Sequence, residues 1–149
     1  MSFGDIKVGS YTNREKIGEM LGINLTGWNA VGINRFEDRV LLWVNLDKNV
    51  NQAQYNDGFL DRNKIFQWES QNQQTEDSKD IKAIINKEVE VHLFCRISSV
   101  GPHTYMGRLK YMRHESSKPV KMYFISMDFD PSVKLLSEIY NHSPSKNRL

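Results

Sequence analysis

The sequence predicts a mixed α+β domain: a partly closed β-barrel carrying two or three short helices. Three observations lead there. At 149 residues, 39% hydrophobic and 11% aromatic, the chain is long enough for one domain with a real core and short for two. Two stretches, Arg39 to Leu46 and Val89 to Ile97, have the alternation and length of strands. Between and around them lie short helical periods bounded by capping residues and glycine or proline.

Taken in order, Thr12-Asn13-Arg14-Glu15 has the Thr-x-x-Glu form of a capping box. Ile17, Met20 and Leu21 follow at helical spacing and Gly22 ends the run, which predicts a helix from about Asn13 to Leu21. Two extended runs follow, Trp28 to Asn34 and Arg39 to Leu46. The second is apolar on both faces, as a central strand requires. From Asn45 to Gln74 there are twelve Asn or Gln residues, interrupted by Tyr55, Phe59, Ile65, Phe66 and Trp68. A disordered tract does not need those side chains, so this reads as a long ordered loop with one strand near Lys64 to Glu69. Loops of that length inside compact domains usually carry function.

Ser78 caps a helix whose Ile81, Ile84 and Ile85 share a face. After the strand Val89 to Ile97, Gly101-Pro102 makes a turn. Strands are then expected over Thr104 to Tyr111 and Val120 to Met127. Asp130-Pro131 opens a last helix with Val133, Leu136, Ile139 and Tyr140. Residues 1–141 are expected to form a single recognition domain, with 142–149 a polar linker or disordered tail.

Composition narrows the chemistry. A net charge of +2 is nearly balanced, but its distribution is not. From Ser98 to Met127 the only acid is Glu115, against Arg108, Lys110, Arg113, Lys118 and Lys121. Cys95 alone makes an internal disulfide impossible and fits a small buried hydrophobe. No apolar run approaches the ~20 residues of a membrane span, and no secretory signal opens the chain. An intracellular, cytoplasmic protein is expected.

No phosphate-binding glycine loop, His-Glu-x-x-His or Gly-x-Ser-x-Gly occurs. His92, His103, His114 and His142 lack metal-ligand spacing. The expectation is a specificity domain with no catalytic residues, metal or cofactor of its own. An active site assembled from distant residues is the alternative.

Two blocks point to nucleic acid. In Phe66-Gln67-Trp68-Glu69-Ser70-Gln71-Asn72 the rings are interleaved with amides and a hydroxyl, groups that stack on bases and read their edges. Trp68, Ser70 and Gln71 are therefore candidate base-binding residues. The competing reading makes Phe66 and Trp68 core residues on one face of a strand. Tyr55 and Asp57 are a second candidate pair, a ring to stack on an everted base and a carboxylate to accept the cytosine amino group. Against that, Asn56-Asp57-Gly58 also reads as a plain turn. The basic block supplies candidate phosphate-binding residues: Arg108, Lys110, Arg113, His114, Ser116 and Lys118. Arg108 and Lys110 alternate with Leu109 and Tyr111 on a strand, and Arg113 to Lys118 is expected as a loop.

These residues resemble a family found after phospholipase-D nuclease and DEAD-box helicase domains in bacterial restriction proteins, where it is the uncharacterised C-terminal domain. The matches are Tyr11-Thr12 to Ile17, Phe66 to Gln71, the Leu-Phe-x-Arg of Leu93 to Arg96, Tyr105 to Gly107, Tyr111, His114 and Pro119. They keep the family's order across roughly Val8 to Met127. Ser116 stands where that family has the glycine of a His-x-Gly-Ser motif. The resemblance implies an SRA-like fold that reads 5-methylcytosine by base flipping. It also implies double-stranded DNA as partner, methylated or not, and nuclease or NTP-driven motor domains in the same protein. In that setting the domain would serve modification-dependent restriction, hence phage defence.

Two other readings remain open at this level. A B3-like pseudobarrel would use the amide-rich loop and the basic block as arms in the major groove of an unmodified site. A protein-interaction module would bind its partner without salt sensitivity, unlike a phosphate contact.

Overall fold

The computed structural model describes residues 5–47, 57–60, 64–71 and 74–142. Its elements in chain order are β1 (Tyr11–Thr12), α1 (Arg14–Leu21), a 3-10 turn (Gly27–Asn29), β2 (Ile33–Phe36) and β3 (Arg39–Asn45). Then come β4 (Gly58–Phe59), β5 (Ile65–Glu69), α2 (Lys79–Ile85), β6 (Glu90–Arg96), β7 (His103–Glu115), β8 (Lys121–Ser126) and α3 (Lys134–Asn141). The strands form one mixed sheet in the order β2-β3-β6-β7-β8-β5-β4, with β1 on β7. Among the described residues only β3 and β6 pair in parallel, which requires the long crossover holding β4, β5 and α2. The expected α+β fold is present. The sheet curls without closing into a barrel, because its edge strands β2 and β4 do not pair.

Both faces of the centre of the sheet are covered. Val40, Leu42, Val44, Leu93, Phe66, Trp68 and Phe124 pack with Ile81 and Ile84 of α2 and with Leu136, Ile139 and Tyr140 of α3. On the other face Leu41, Trp43, Phe94 and Tyr105 pack under Ile17 of α1. The doubly apolar pattern of β3 follows from this sandwich. Each buried aliphatic or aromatic side chain contributes about 1.5–3 kcal/mol.

The curl brings distant segments together. Beyond β5, the Gln71 amide Nε2 lies 2.5 Å from where a Cβ on Gly32 would stand, just before β2. Only a glycine leaves the amide that place. Halfway along β7, Gly107 has φ +92 beside a register shift between Leu93 and Phe94, and the Asp128 side chain packs against it.

Several expected boundaries move. The cap of α1 is Asn13, whose side chain accepts from the Lys16 N–H at 2.8 Å, while Thr12 is drawn into β1 by pairing with His103. Ser78 is the N-cap residue of α2, its carbonyl accepting the Lys82 N–H, but its Oγ accepts from the Thr75 N–H rather than from the helix. Asp130 accepts from Ser132 and holds a turn, and α3 begins only at Lys134. The run Trp28 to Asn34 is a 3-10 turn followed by the start of a strand rather than one extended piece. Arg113 to Glu115, expected in a loop, continue β7 because a bulge between Tyr111 and Arg113 restores pairing with β8.

Candidate nucleic-acid interface

Asp57 is 7% exposed and sits at the head of β4. Its Oδ1 accepts the Glu69 N–H at 2.8 Å, so the loop carboxylate is fixed against the end of β5. Tyr55 lies outside the described residues. Trp68 is 2% exposed and shares the core-facing side of β5 with Phe66, a consequence of the two-residue strand period. Its ring packs with the core in this structure, so the core-strand alternative describes where it sits. Ser70 is fully buried: it donates its N–H to the Val120 carbonyl, and its Oγ accepts from the Val120 N–H, both at 2.9 Å. Among the described residues of this block, only Gln71 is exposed. The Gln74 side chain accepts its backbone N–H at 2.9 Å.

The basic candidates divide in two. Arg108, Lys110, Arg113 and Lys118 are exposed. Strand alternation sends Leu109 inward and its neighbours Arg108 and Lys110 out. Arg108 is 3.6 Å from Asp128, and the Arg113 guanidinium lies 3.8 Å over the Tyr123 ring. An Arg on a ring face is held flat with donors at its rim.

His114 and Ser116 are engaged internally. Glu76 Oε2 accepts from His114 Nε2 at 2.9 Å and from Ser116 Oγ at 2.6 Å, and these two bonds hold the Glu76 carboxyl below its usual range. The other ring nitrogen, Nδ1, is hydrogen-bonded with Tyr111 Oη at 2.6 Å. Glu76 thus occupies the position an anionic oxygen would take at these two donors. A charge count along the chain does not reveal this, because Glu76 comes from a separate segment.

Three features escaped sequence reasoning. Trp28 is 100% exposed on a turn that is itself braced. Asn24 Oδ1 accepts from Thr26 N and Oγ1, Asn29 donates to the Asn24 carbonyl, and Asn34 donates to the Asn29 carbonyl. A fully exposed tryptophan on a rigid support is a contact surface in form. Next, His92 is buried on the same face of β6 as Phe94, donating Nε2–H to Glu90 and accepting from Tyr105 Oη, both at 2.7 Å. Burial lowers its pKa despite Glu90 and raises that of Tyr105. The third is an arginine pair around Trp43, taken up below. Among the described residues, no group of three His, Cys, Asp or Glu is placed to hold a metal ion, and no helix is long and apolar enough to cross a membrane.

An open, mixed sheet clasped by short helices makes an α+β domain whose fold is SRA-like by its similarity to solved structures. The chain belongs to the family called domain of unknown function DUF3427, whose model matches residues 7–143. The fold is similar to the SRA domain of SUVH5 solved with hemimethylated CG DNA, at 17% identity and a TM-score of 0.57, covering 85% of this chain and 92% of that one. The same domain bound to fully hydroxymethylated CG DNA is 18% identical, with a TM-score of 0.53 over 85% and 93% of the two chains. The DNA modification-dependent restriction endonuclease AspBHI is 11% identical, with a TM-score of 0.51 over 91% of this chain and 80% of that one. No curated protein matches the sequence.

Proposed function

We propose that this chain is a DNA-recognition module that reads modified cytosine, 5-methylcytosine first, in double-stranded DNA by flipping the base. It has no chemistry of its own and directs nuclease or motor domains of a cytoplasmic restriction system. The observation that carries this reading is the likeness in fold, over most of the chain, to domains solved on methylated and hydroxymethylated CG DNA. The likeness to a modification-dependent restriction endonuclease supports the restriction setting.

The described residues divide the work on this reading. Arg108, Lys110, Arg113 and Lys118 hold backbone phosphates, which position the duplex without reading it. Asp57 accepts from the extruded base, and Tyr55 stacks on it. The bond from the Glu69 N–H orients the Asp57 carboxylate, the group that accepts the cytosine amino group on this reading. Gln71 and Trp28 contact the DNA beside that site. Trp68 and Ser70 act by holding β5 and its exit in place. A phosphate reaching His114 and Ser116 replaces Glu76 as their acceptor.

The test is a gel-shift titration with matched duplexes, unmodified and 5-methylcytosine-bearing, at two salt concentrations. The expected result is preference for the methylated duplex, with binding that weakens steeply as salt rises. A mismatch opposite the modified base tightens binding further, because unpairing costs a few kcal/mol. Trp28 emission, with Trp43 and Trp68 buried, reports contact as quenching on the same titration. Equal binding to both duplexes would replace base flipping with groove reading of an unmodified site. Binding to neither would move the function to a protein partner.

A further inference from the structure

Two motifs of the sequence are left without a role by this reading: the opening Tyr11-Thr12 to Ile17 motif and the Leu-Phe-x-Arg strand. Both carry an arginine to the same end of the paired strands β3 and β6. Arg14, the first residue of α1, lays its guanidinium 4.6 Å over the Trp43 ring. Its Nη1 donates to Asn34 Oδ1 at 3.1 Å and its Nη2 to the Val31 carbonyl at 2.7 Å. Arg96 ends β6 opposite Asn45, two residues beyond Trp43 on the same face of β3. Its Nε donates to Asn45 Oδ1 and its Nη1 to the Gly101 carbonyl, both at 2.7 Å. His103 meets the Trp43 ring edge-on at 5.1 Å.

Every acceptor used by the two guanidiniums is neutral. Among the described residues neither makes an ion pair with a carboxylate. A guanidinium has five N–H donors, so about three on each are uncommitted, and both side chains are only partly buried. The two charges feel one another. Burial and the nearby Arg96 push Arg14 down to about 10. Burial, then Arg96 and Arg14, push His103 down to about 3. The imidazole is therefore neutral at physiological pH, and the site is a pair of fixed cations. Holding two like charges together costs stability unless an anion joins them, and paired guanidiniums match the geometry of phosphate oxygens.

We propose that Arg14 and Arg96, set around Trp43, form a phosphate-binding site separate from the cationic row of β7. Resting on the DNA reading above, the phosphate is one of the duplex backbone, gripped at the end of the parallel strand pair. Asn34 and Asn45 fix the two forks, and Trp43 gives Arg14 a flat support.

The experiment measures duplex affinity against salt for the full chain and for the variants Arg14→Gln, Arg96→Gln and the double variant, each checked for a cooperative urea transition. A backbone contact lowers the slope of log K against log salt by about 0.9 per phosphate, with a loss of roughly tenfold at low salt, the value of one charge-assisted bond. An unchanged slope and affinity in the double variant overturns the backbone assignment.

The wild-type protein supplies a second arm that needs no mutant to fold. On titration with inorganic phosphate at constant ionic strength, the Arg14 and Arg96 Nε–Hε resonances shift, and chloride leaves them in place. A shift with phosphate alongside an unchanged duplex slope assigns the site to a phosphate from another source. No change in either arm overturns the site itself. If the wild-type chain binds no duplex, the DNA reading fails and the resonance shift alone decides whether the site stands.

Discussion

At the scale of single residues, Gly107 has the least room to change. Its φ of +92 belongs to glycine, and a Cβ there would stand 2.7 Å from Asp128 Cβ and 2.8 Å from its Cγ. The same Asp128 accepts the Arg108 N–H at 2.9 Å, so moving it away breaks a second contact. Gly107→Ala should therefore cost on the order of 1–3 kcal/mol, read as a lower urea midpoint; a change below about 0.5 kcal/mol would contradict this account. Trp68 tests the candidate site in the same way. Removing a buried ring costs about 3–5 kcal/mol, so Trp68→Ala should lose folded stability before any DNA contact is scored, while Trp68→Phe should keep it. A Trp68→Ala chain with a wild-type urea midpoint and no DNA binding would return the ring to the base site. The period-two spacing of Phe66 and Trp68 already made their shared face legible. The role of Ser70 was not, because its partner Val120 lies 50 residues away and no local pattern announces that bond.

At the scale of elements, the sequence read best where one segment determines its own state. The runs of β3 and β6 carry their period in their side chains, and α1 carries its helical spacing and its closing Gly22, which adopts φ +74. It read worst where a neighbour decides. The end of β7 looked like a loop because Arg113 to Lys118 holds polar residues, yet pairing with Lys121 and Met122 carries the strand to Glu115. The braced turn that presents Trp28 depends on three asparagines, each of which reads alone as an ordinary loop residue. The outward row on β7 makes its own prediction. Lys110 has no role in the core, so Lys110→Ala should leave the urea midpoint within about 0.5 kcal/mol. It should also reduce the salt slope of duplex binding by about one. An unchanged slope would place the duplex away from this part of β7.

At the scale of the whole molecule, the buried histidines tie stability to pH. His103 is 4% and His92 3% exposed, and burial lowers both pKa values, that of His103 from 6.5 to about 3. In the native state each resists a proton that the unfolded chain accepts. The unfolded state therefore binds more protons between about pH 6.5 and pH 3, and stability rises with pH across that window. The stabilisation is complete above pH 6.5 and drains away as pH falls, at up to about 1.4 kcal/mol per pH unit for one group. Glu76 and Glu115 are held low by hydrogen bonds from Ser116 and His114 and from Tyr123. Their losses begin near their ordinary value of 4.5 and below, which leaves pH 5–7 to the histidines. Urea denaturation should show the wild-type chain losing on the order of 2 kcal/mol through His103 between pH 7 and pH 5. His103→Phe, which keeps a ring against Trp43, should lose correspondingly less, with the residual slope belonging to His92. Equal slopes in the two proteins would mean that His103 is protonated in the folded state. Arg14, Arg96 and an imidazolium would then surround Trp43 together, and the anion needed to hold that cluster would already be bound.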